Sequence, residues 1–131
     1  MIKSNIYKNM SVIINNTKFP AEYLSEPEEI SQGMMGRDNL NGCMVFNMGG
    51  VGHHSFWMKN CLIPLDIVFV LKNRISKIHR NCEPAGQNEL NPKRYTGIGD
   101  HVIEFPAGVT DKFKEGDRVN MYLGTPMNPV R

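Results

Sequence analysis

The chain has 131 residues, of which 40% are hydrophobic and 21% are charged, the proportions of an ordinary globular protein rather than a disordered one. Its formal net charge of +2 is too small to favour binding to nucleic acid or to an anionic membrane surface. The longest apolar stretch, residues 65–71, is far shorter than the roughly 20 residues that cross a bilayer. The length therefore predicts a single domain over residues 1–131, without a membrane span.

The N-terminus and the cysteines indicate the compartment. The only apolar run near the N-terminus, residues 12–14, is too short for the hydrophobic region of a signal peptide, which predicts a cytoplasmic protein. Cys43, Cys61 and Cys82 are odd in number and are not closely spaced, so we expect free, buried thiols rather than disulfides.

The first predicted element is a β-hairpin. Apolar residues 12–14 and the segment 17–19 flank the pair Asn15-Asn16. Asparagine tolerates the positive φ angles of a tight turn, so this pair favours a turn between two strands.

A helix is predicted next, over residues 26–35. Ser25 and Glu28 have the spacing of a capping box, and Pro27 suits the first helical turn. The apolar residues that follow lie on one helical stripe, and Gly36 is a suitable residue to end the helix.

The remaining segments predict short strands and loops. The sequence Gly49–Gly52 predicts a flexible loop, the turn at residues 72–74 predicts a second hairpin, residues 81–99 predict a long loop and residues 110–114 a helical turn. The fold class is therefore mainly β, a compact β-barrel or sandwich of short antiparallel strands with one N-terminal helix. The predicted strands after the helix are residues 43–46, 54–58, 65–71, 75–79, 101–105 and 118–123.

Five sequence blocks are recognisable as motifs. They read GMMGR, GCMVF, SFWMKNCLIPLDIVF, VIEFPAG and GDRV. Together they resemble domain of unknown function family 192 over residues 17–123, which leaves short N- and C-terminal extensions. The resemblance implies a small, mainly β domain that is common in prokaryotes and that has no established biochemical activity. Relatives in bacteria often carry export leaders, and a phage origin is equally compatible with the motifs.

The run Trp57-Met58-Lys59-Asn60 is the strongest candidate for ligand binding. Side chains alternate along a strand, so Trp57 and Lys59 are expected to share one face. An aromatic ring beside an ammonium group suits a carbohydrate or a small anionic ligand. The alternative is that Trp57 fills the core and Lys59 is a solvated surface charge; the completeness of the family motif favours binding.

Two carboxylates interrupt apolar strands. Asp66 follows Leu65, and Glu104 lies within the predicted strand 101–105. A buried carboxylate must be paired or hydrogen-bonded, and Arg37 and Lys59 are the expected partners. Asp66 and Glu104 could form the acid/base pair of a hydrolase acting on carbohydrate, or they could belong to a structural ion-pair network, which is the favoured interpretation.

Other chemistry has weaker support. His53 and His54 are adjacent and would point to opposite faces of an extended chain, while His79 and Cys82 lack a second closely spaced pair, so neither a metal nor another cofactor is predicted. Nine methionines could bind a soft metal, but methionine more often fills cores. The chain also has no nucleophile elbow and no phosphate-binding loop.

These patterns predict a binding or accessory module, with an enzyme less favoured. The expected partner is a small molecule or a protein, and neither nucleic acid nor a membrane. A structural or assembly protein is the remaining alternative, and Gly49–Gly52 is expected to form a mobile rim of the pocket. The predicted site consists of Arg37, Trp57, Lys59, Asn60, Asp66 and Glu104.

Overall fold

A computed structural model describes residues 10–124, which form one curled seven-stranded sheet and one short helix. The mainly β fold is confirmed. No helix in this part of the chain is long and apolar enough to cross a bilayer. Residues 1–9, which bear on the expected absence of a leader, and residues 125–131 lie outside the described part. The elements are β1 (Ser11–Ile14), β2 (Thr17–Leu24), α1 (Pro27–Gln32), β3 (Cys43–Trp57), β4 (Leu65–Leu71), β5 (Arg74–Cys82), β6 (Arg94–Pro106) and β7 (Val119–Tyr122).

The strand order is β5-β4-β6-β3-β2-β1-β7. Every neighbouring pair is antiparallel except β2 and β3, which run parallel, so the prediction of antiparallel strands fails at this one pair. Parallel neighbours need a crossover connection, and α1 with the segment after it supplies one. The two edge strands approach each other where Arg74 bridges Arg118 and the Val119 amide donates to the Asn73 carbonyl at 2.8 Å. These contacts curl the sheet towards a barrel.

Both predicted hairpins are confirmed. The β1–β2 turn has φ angles of 50° at Asn15 and 66° at Asn16. The β4–β5 turn has 49° at Lys72 and 65° at Asn73. Two consecutive positive φ angles match the right-handed twist of the flanking strands, which explains the use of asparagine in both turns.

The helix is shorter than the predicted span of 26–35. Its N-cap is Glu26, with no side-chain capping bond, so the capping box from Ser25 does not form. It ends at Gly33, where φ is 45°. A Cβ atom at Gly33 would lie 3.2 Å from Phe46, so glycine lets the chain pass close to that ring and then bury Met34.

Most strands extend beyond their predicted bounds, β3 and β6 by the most. β3 runs for 15 residues through the expected flexible loop at Gly49–Gly52, and a bulge between Asn47 and Gly52 takes up the extra residues. β6 runs for 13 residues and begins within the expected loop at 81–99. Pairing with a neighbouring strand overrides weak local preference here. The expected helical turn at 110–114 is instead part of a series of tight turns.

Each face of the sheet carries its own apolar cluster. The first includes Val12, Val68 and Phe105 and draws on both edges of the curled sheet. The second includes Met44 and Phe69 and packs against Ile30 of α1 and the segment that follows it. Both faces are covered along β4 and the last residues of β6, so the carboxyl groups of Asp66 and Glu104 are both buried.

Candidate ligand-binding site

A cavity of about 290 Å³ lies between α1 and strands β3 and β6. Its apolar walls are aromatic rings and thioethers, among them those of Phe46, Phe56 and Met34, and its polar lining includes Gln32 and Ser55. A shallower groove shares its Met48 wall and continues towards the β3 bulge. A concave, largely apolar space with a few polar groups is the usual form of a small-molecule site.

Glu104 is the acidic group of this cavity. It lies on β6 between Met44 of β3 and Ile67 of β4, and only 4% of its surface is exposed. Every fully enclosed side-chain nitrogen or oxygen in residues 10–124 has a hydrogen-bond partner. The Glu104 carboxyl receives no hydrogen bond from that part of the chain, so its oxygens must reach the open space of the cavity.

Burial determines the charge state of Glu104. The loss of hydration raises the pKa of its carboxyl to about 8. At pH 7 the carboxyl is therefore mostly protonated and can donate a hydrogen bond into the cavity. A buried acid that receives no hydrogen bond from the described residues is a candidate for a binding or catalytic role.

Positive charge collects at the rim, around the ring of Trp57. The Lys59 Nζ atom lies 5.2 Å from the ring centroid and the Arg94 Cζ atom lies 4.2 Å from it. Arg94 is the cross-strand neighbour of Trp57, and both line the cavity. Within residues 10–124 neither cation has a carboxylate partner. Two cations therefore lie against the Trp57 ring with no counter-ion from the described part of the chain.

Asp66 has a different environment from Glu104. It is fully buried and accepts four hydrogen bonds: from the amides of Asn81 (2.9 Å), Gly108 (3.1 Å) and Thr110 (3.1 Å), and from the Thr110 hydroxyl (2.8 Å). These bonds fix the turn after β6 against the end of β5. Asp66 therefore has a structural role, because it joins these two segments by hydrogen bonds. The expectation that it pairs with Arg37 or Lys59 is wrong.

The two predicted acids do not meet. Asp66 is opposite Phe105 in the β4–β6 register, and Glu104 is opposite Ile67. Neighbouring positions of a strand point to opposite faces, so the two carboxyls lie on opposite sides of the sheet. This geometry provides no acid/base pair for glycoside hydrolysis.

Arg37 and Asn60 stabilise the walls from outside the cavity. The two terminal guanidinium nitrogens of Arg37, Nη1 and Nη2, donate to the Glu22 carboxylate at 2.7 Å each, which ties the segment after α1 to β2. Asn60 has a φ of 62° in a turn, and its carbonyl accepts the Gly36 amide at 2.9 Å. β3 ends at Trp57, so the predicted alternation from Trp57 to Asn60 is wrong, although Trp57 and Lys59 do lie together.

The cysteines are free and buried, as predicted. Cys61 lines the cavity, and burial together with the charge of Glu104 raises its pKa to about 11, which keeps it a thiol at neutral pH. Nowhere between residues 10 and 124 do three His, Cys, Asp or Glu side chains come close enough to hold a metal ion. The ring of His79 instead bonds the Thr96 carbonyl at 2.8 Å.

The residues that the sequence did not reveal are Arg94 and most of the apolar walls. Arg94 lies in the segment predicted as a loop, and only the β3–β6 register places it beside Trp57. Phe56 and Met48 read as strand or loop residues, because nothing in their local sequence indicates that α1 covers them.

The family model of domain of unknown function family 192, described as "Uncharacterized ACR", matches residues 10–121. Two solved structures have a similar fold. One, from Sinorhizobium meliloti, is described as a proposed transcription regulator; it is 24% identical with a TM-score of 0.77, and the match covers 90% of this chain and 97% of that one. The other, a protein of unknown function from Novosphingobium aromaticivorans, is 29% identical with a TM-score of 0.72, and the match covers 84% and 83%. A comparison with curated proteins finds no match.

Proposed function

The chain belongs to domain of unknown function family 192, and we propose that it is a binding module for a small organic anion with an apolar body. The observation that carries this proposal is the pair of cations on the Trp57 ring, Lys59 and Arg94, for which residues 10–124 provide no counter-ion, beside a cavity with apolar walls. A carboxylate or similar anion at the rim would supply that counter-ion, while an apolar segment would fill the space between the aromatic and thioether walls.

The two cations at Trp57 distinguish an anion from the alternatives. The walls combine rings and thioethers, such as those of Phe46 and Met34, with the polar side chains of Ser31, Gln32 and Ser55. A carbohydrate could use those polar groups, but it would leave the cations without a counter-ion. A glycoside hydrolase that uses two carboxylates would need a second acid beside Glu104, and Asp66 is on the other face of the sheet. A role in assembly stays a prediction; it would use exposed apolar residues such as Val51 and Leu62.

Fluorescence of Trp57 provides a direct test, because it is the only tryptophan of the chain. Titration with hexanoate is expected to give a saturable change in emission, whereas 1-hexanol is expected to bind about tenfold more weakly because it leaves the two cations unpaired. Glucose, which lacks both the charge and the apolar body, is expected to give no saturable change.

Two arginine variants make the test specific. Arg94→Met is expected to weaken hexanoate binding about tenfold, by removal of a charged hydrogen bond. Arg118→Met removes the same charge from an exposed site outside the cavity and should leave the affinity unchanged. Equal binding of hexanoate and hexanol, or an Arg94 variant that binds like the wild type, would contradict the proposal.

A further inference from the structure

Glu104 lines the cavity, while Arg94 and Lys59 lie against the Trp57 ring. A simple anion would pair with the two cations but not with the acid. Building on the proposed anion site, we infer that the ligand is dipolar, with a protonated amine against Glu104, an anionic group at Arg94 and Lys59, and a short apolar chain between them. This inference deepens the proposed function by defining the class of ligand, an ω-amino acid or a molecule with the same arrangement of charges.

Within the described residues Glu104 has no hydrogen-bond donor. The carboxyl is 4% exposed, faces the cavity and receives no hydrogen bond from residues 10–124. A buried carboxylate is stable only when it is paired and hydrogen-bonded. A ligand amine would supply both the positive charge and the N–H donors that residues 10–124 do not provide.

Aromatic rings and a thioether line the same cavity as the Glu104 carboxyl. Phe46 and Phe56 pack edge to face with their ring centroids 5.3 Å apart, and both rings line the cavity. Aromatic faces attract cations, most strongly in desolvated sites, and the thioether of Met34 adds a polarisable wall. Aromatic rings beside a carboxyl are a combination that suits an ammonium group.

The cavity has groups of opposite kind, the acid Glu104 and the cation Arg94. A simple amine would be repelled by the guanidinium of Arg94 and would leave that cation without a counter-ion. A simple anion would neutralise Arg94 and Lys59 but would leave Glu104 without a partner. Only a ligand with an inner cation and an outer anion satisfies both ends, and a cavity of about 290 Å³ limits it to a short chain.

Binding of such a ligand is coupled to loss of a proton. Glu104 is mostly protonated in the free protein, because burial raises its pKa to about 8, and it becomes a carboxylate when an ammonium group sits against it. The other titratable or charged groups near it are the thiols of Cys61 on the segment after β3 and Cys82 on β5, whose pKa values are raised to about 11 and about 12, and the guanidinium of Arg94 on β6. None of these changes charge near pH 7, so the released proton comes from Glu104.

A matched set of probes tests the inference: 6-aminohexanoate, hexanoate and hexylamine. We expect 6-aminohexanoate to bind about tenfold or more tightly than hexanoate, since it adds a charged pair in a desolvated site, and hexylamine to bind more weakly than 6-aminohexanoate. Glu104→Gln should abolish the preference for 6-aminohexanoate, so that the variant binds 6-aminohexanoate no more tightly than it binds hexanoate. A cooperative urea-unfolding transition shows that this variant is folded.

Calorimetry in two buffers of different ionisation enthalpy gives a readout that does not depend on a variant. At pH 7 the binding of 6-aminohexanoate should release close to one proton, and hexanoate should release none. If hexanoate binds but the added amine neither tightens binding nor releases a proton, the dipolar ligand is excluded and the anion site stands. If neither hexanoate nor 6-aminohexanoate binds, the proposed function itself fails.

Discussion

Glu104→Gln is expected to stabilise the protein, by an amount that increases with pH. Burial raises the pKa of Glu104 from 4.5 to about 8, so between these values the folded chain keeps a proton that the unfolded chain releases. The wild-type free energy of unfolding therefore falls as the pH rises through this range, by about 1.4 kcal/mol per pH unit. Glutamine does not titrate, so the variant loses this dependence. Urea unfolding of both proteins at pH 5 and pH 8 measures the difference.

An exposed glutamate provides the control for this experiment. Glu115→Gln changes a solvated side chain and is expected to leave the free energy of unfolding within about 0.5 kcal/mol of wild type at both pH values. A Glu104→Gln difference that is the same at pH 5 and pH 8 would show that the carboxyl is not held protonated by the fold. If Glu104→Gln is more stable than the wild type, the buried carboxyl lowers the free energy of unfolding, as expected of a residue retained for function rather than for stability.

Asp66→Asn is expected to have the opposite effect, a loss of about 3–5 kcal/mol, because it disrupts a buried, hydrogen-bonded carboxylate. Asp66 accepts bonds from the amides of Asn81, Gly108 and Thr110 and from the Thr110 hydroxyl. An asparagine keeps a single acceptor oxygen and directs an NH₂ group at groups that are themselves donors. The same urea experiment measures the loss.

A smaller change at the same cluster sets the scale. Thr110→Val removes only the hydroxyl that donates to Asp66 at 2.8 Å and should cost about 1 kcal/mol. Hexanoate binding should persist in the folded fraction of the Asp66 variant, because the Asp66 side chain lies on the other face of the sheet from Glu104. A fully stable Asp66→Asn protein would contradict the structural role of this residue.

Local signals in the sequence were sufficient where backbone conformation decides the structure. Asn15-Asn16 and Lys72-Asn73 both form the turns with positive φ that asparagine permits. The motif around Trp57 correctly placed an aromatic ring beside Lys59, even though the chain between them turns instead of continuing the strand.

Register and long-range contacts decided what the sequence left open. Asp66 and Glu104 look alike in sequence, since each interrupts an apolar strand, and both are buried. They differ because the turn after β6 brings the amides of Gly108 and Thr110 to Asp66, whereas apolar walls surround Glu104. Arg94 could not be predicted for the same reason, because its place beside Trp57 depends on how β3 pairs with β6.

The most direct test of the account is the titration of the Glu104 carboxyl itself. In protein labelled with ¹³C at glutamate side-chain carboxyls, the resonance that is missing from Glu104→Gln identifies this group, and its chemical shift is followed from pH 4 to pH 10. A midpoint near pH 8, moved to lower pH by saturating 6-aminohexanoate, is the predicted result, because burial disfavours the carboxylate and residues 10–124 give it no hydrogen-bond donor, whereas the ligand amine would. A midpoint near pH 4.5 in the free protein would mean that water or the protein already satisfies the carboxylate, and would contradict the role assigned to Glu104 in the cavity.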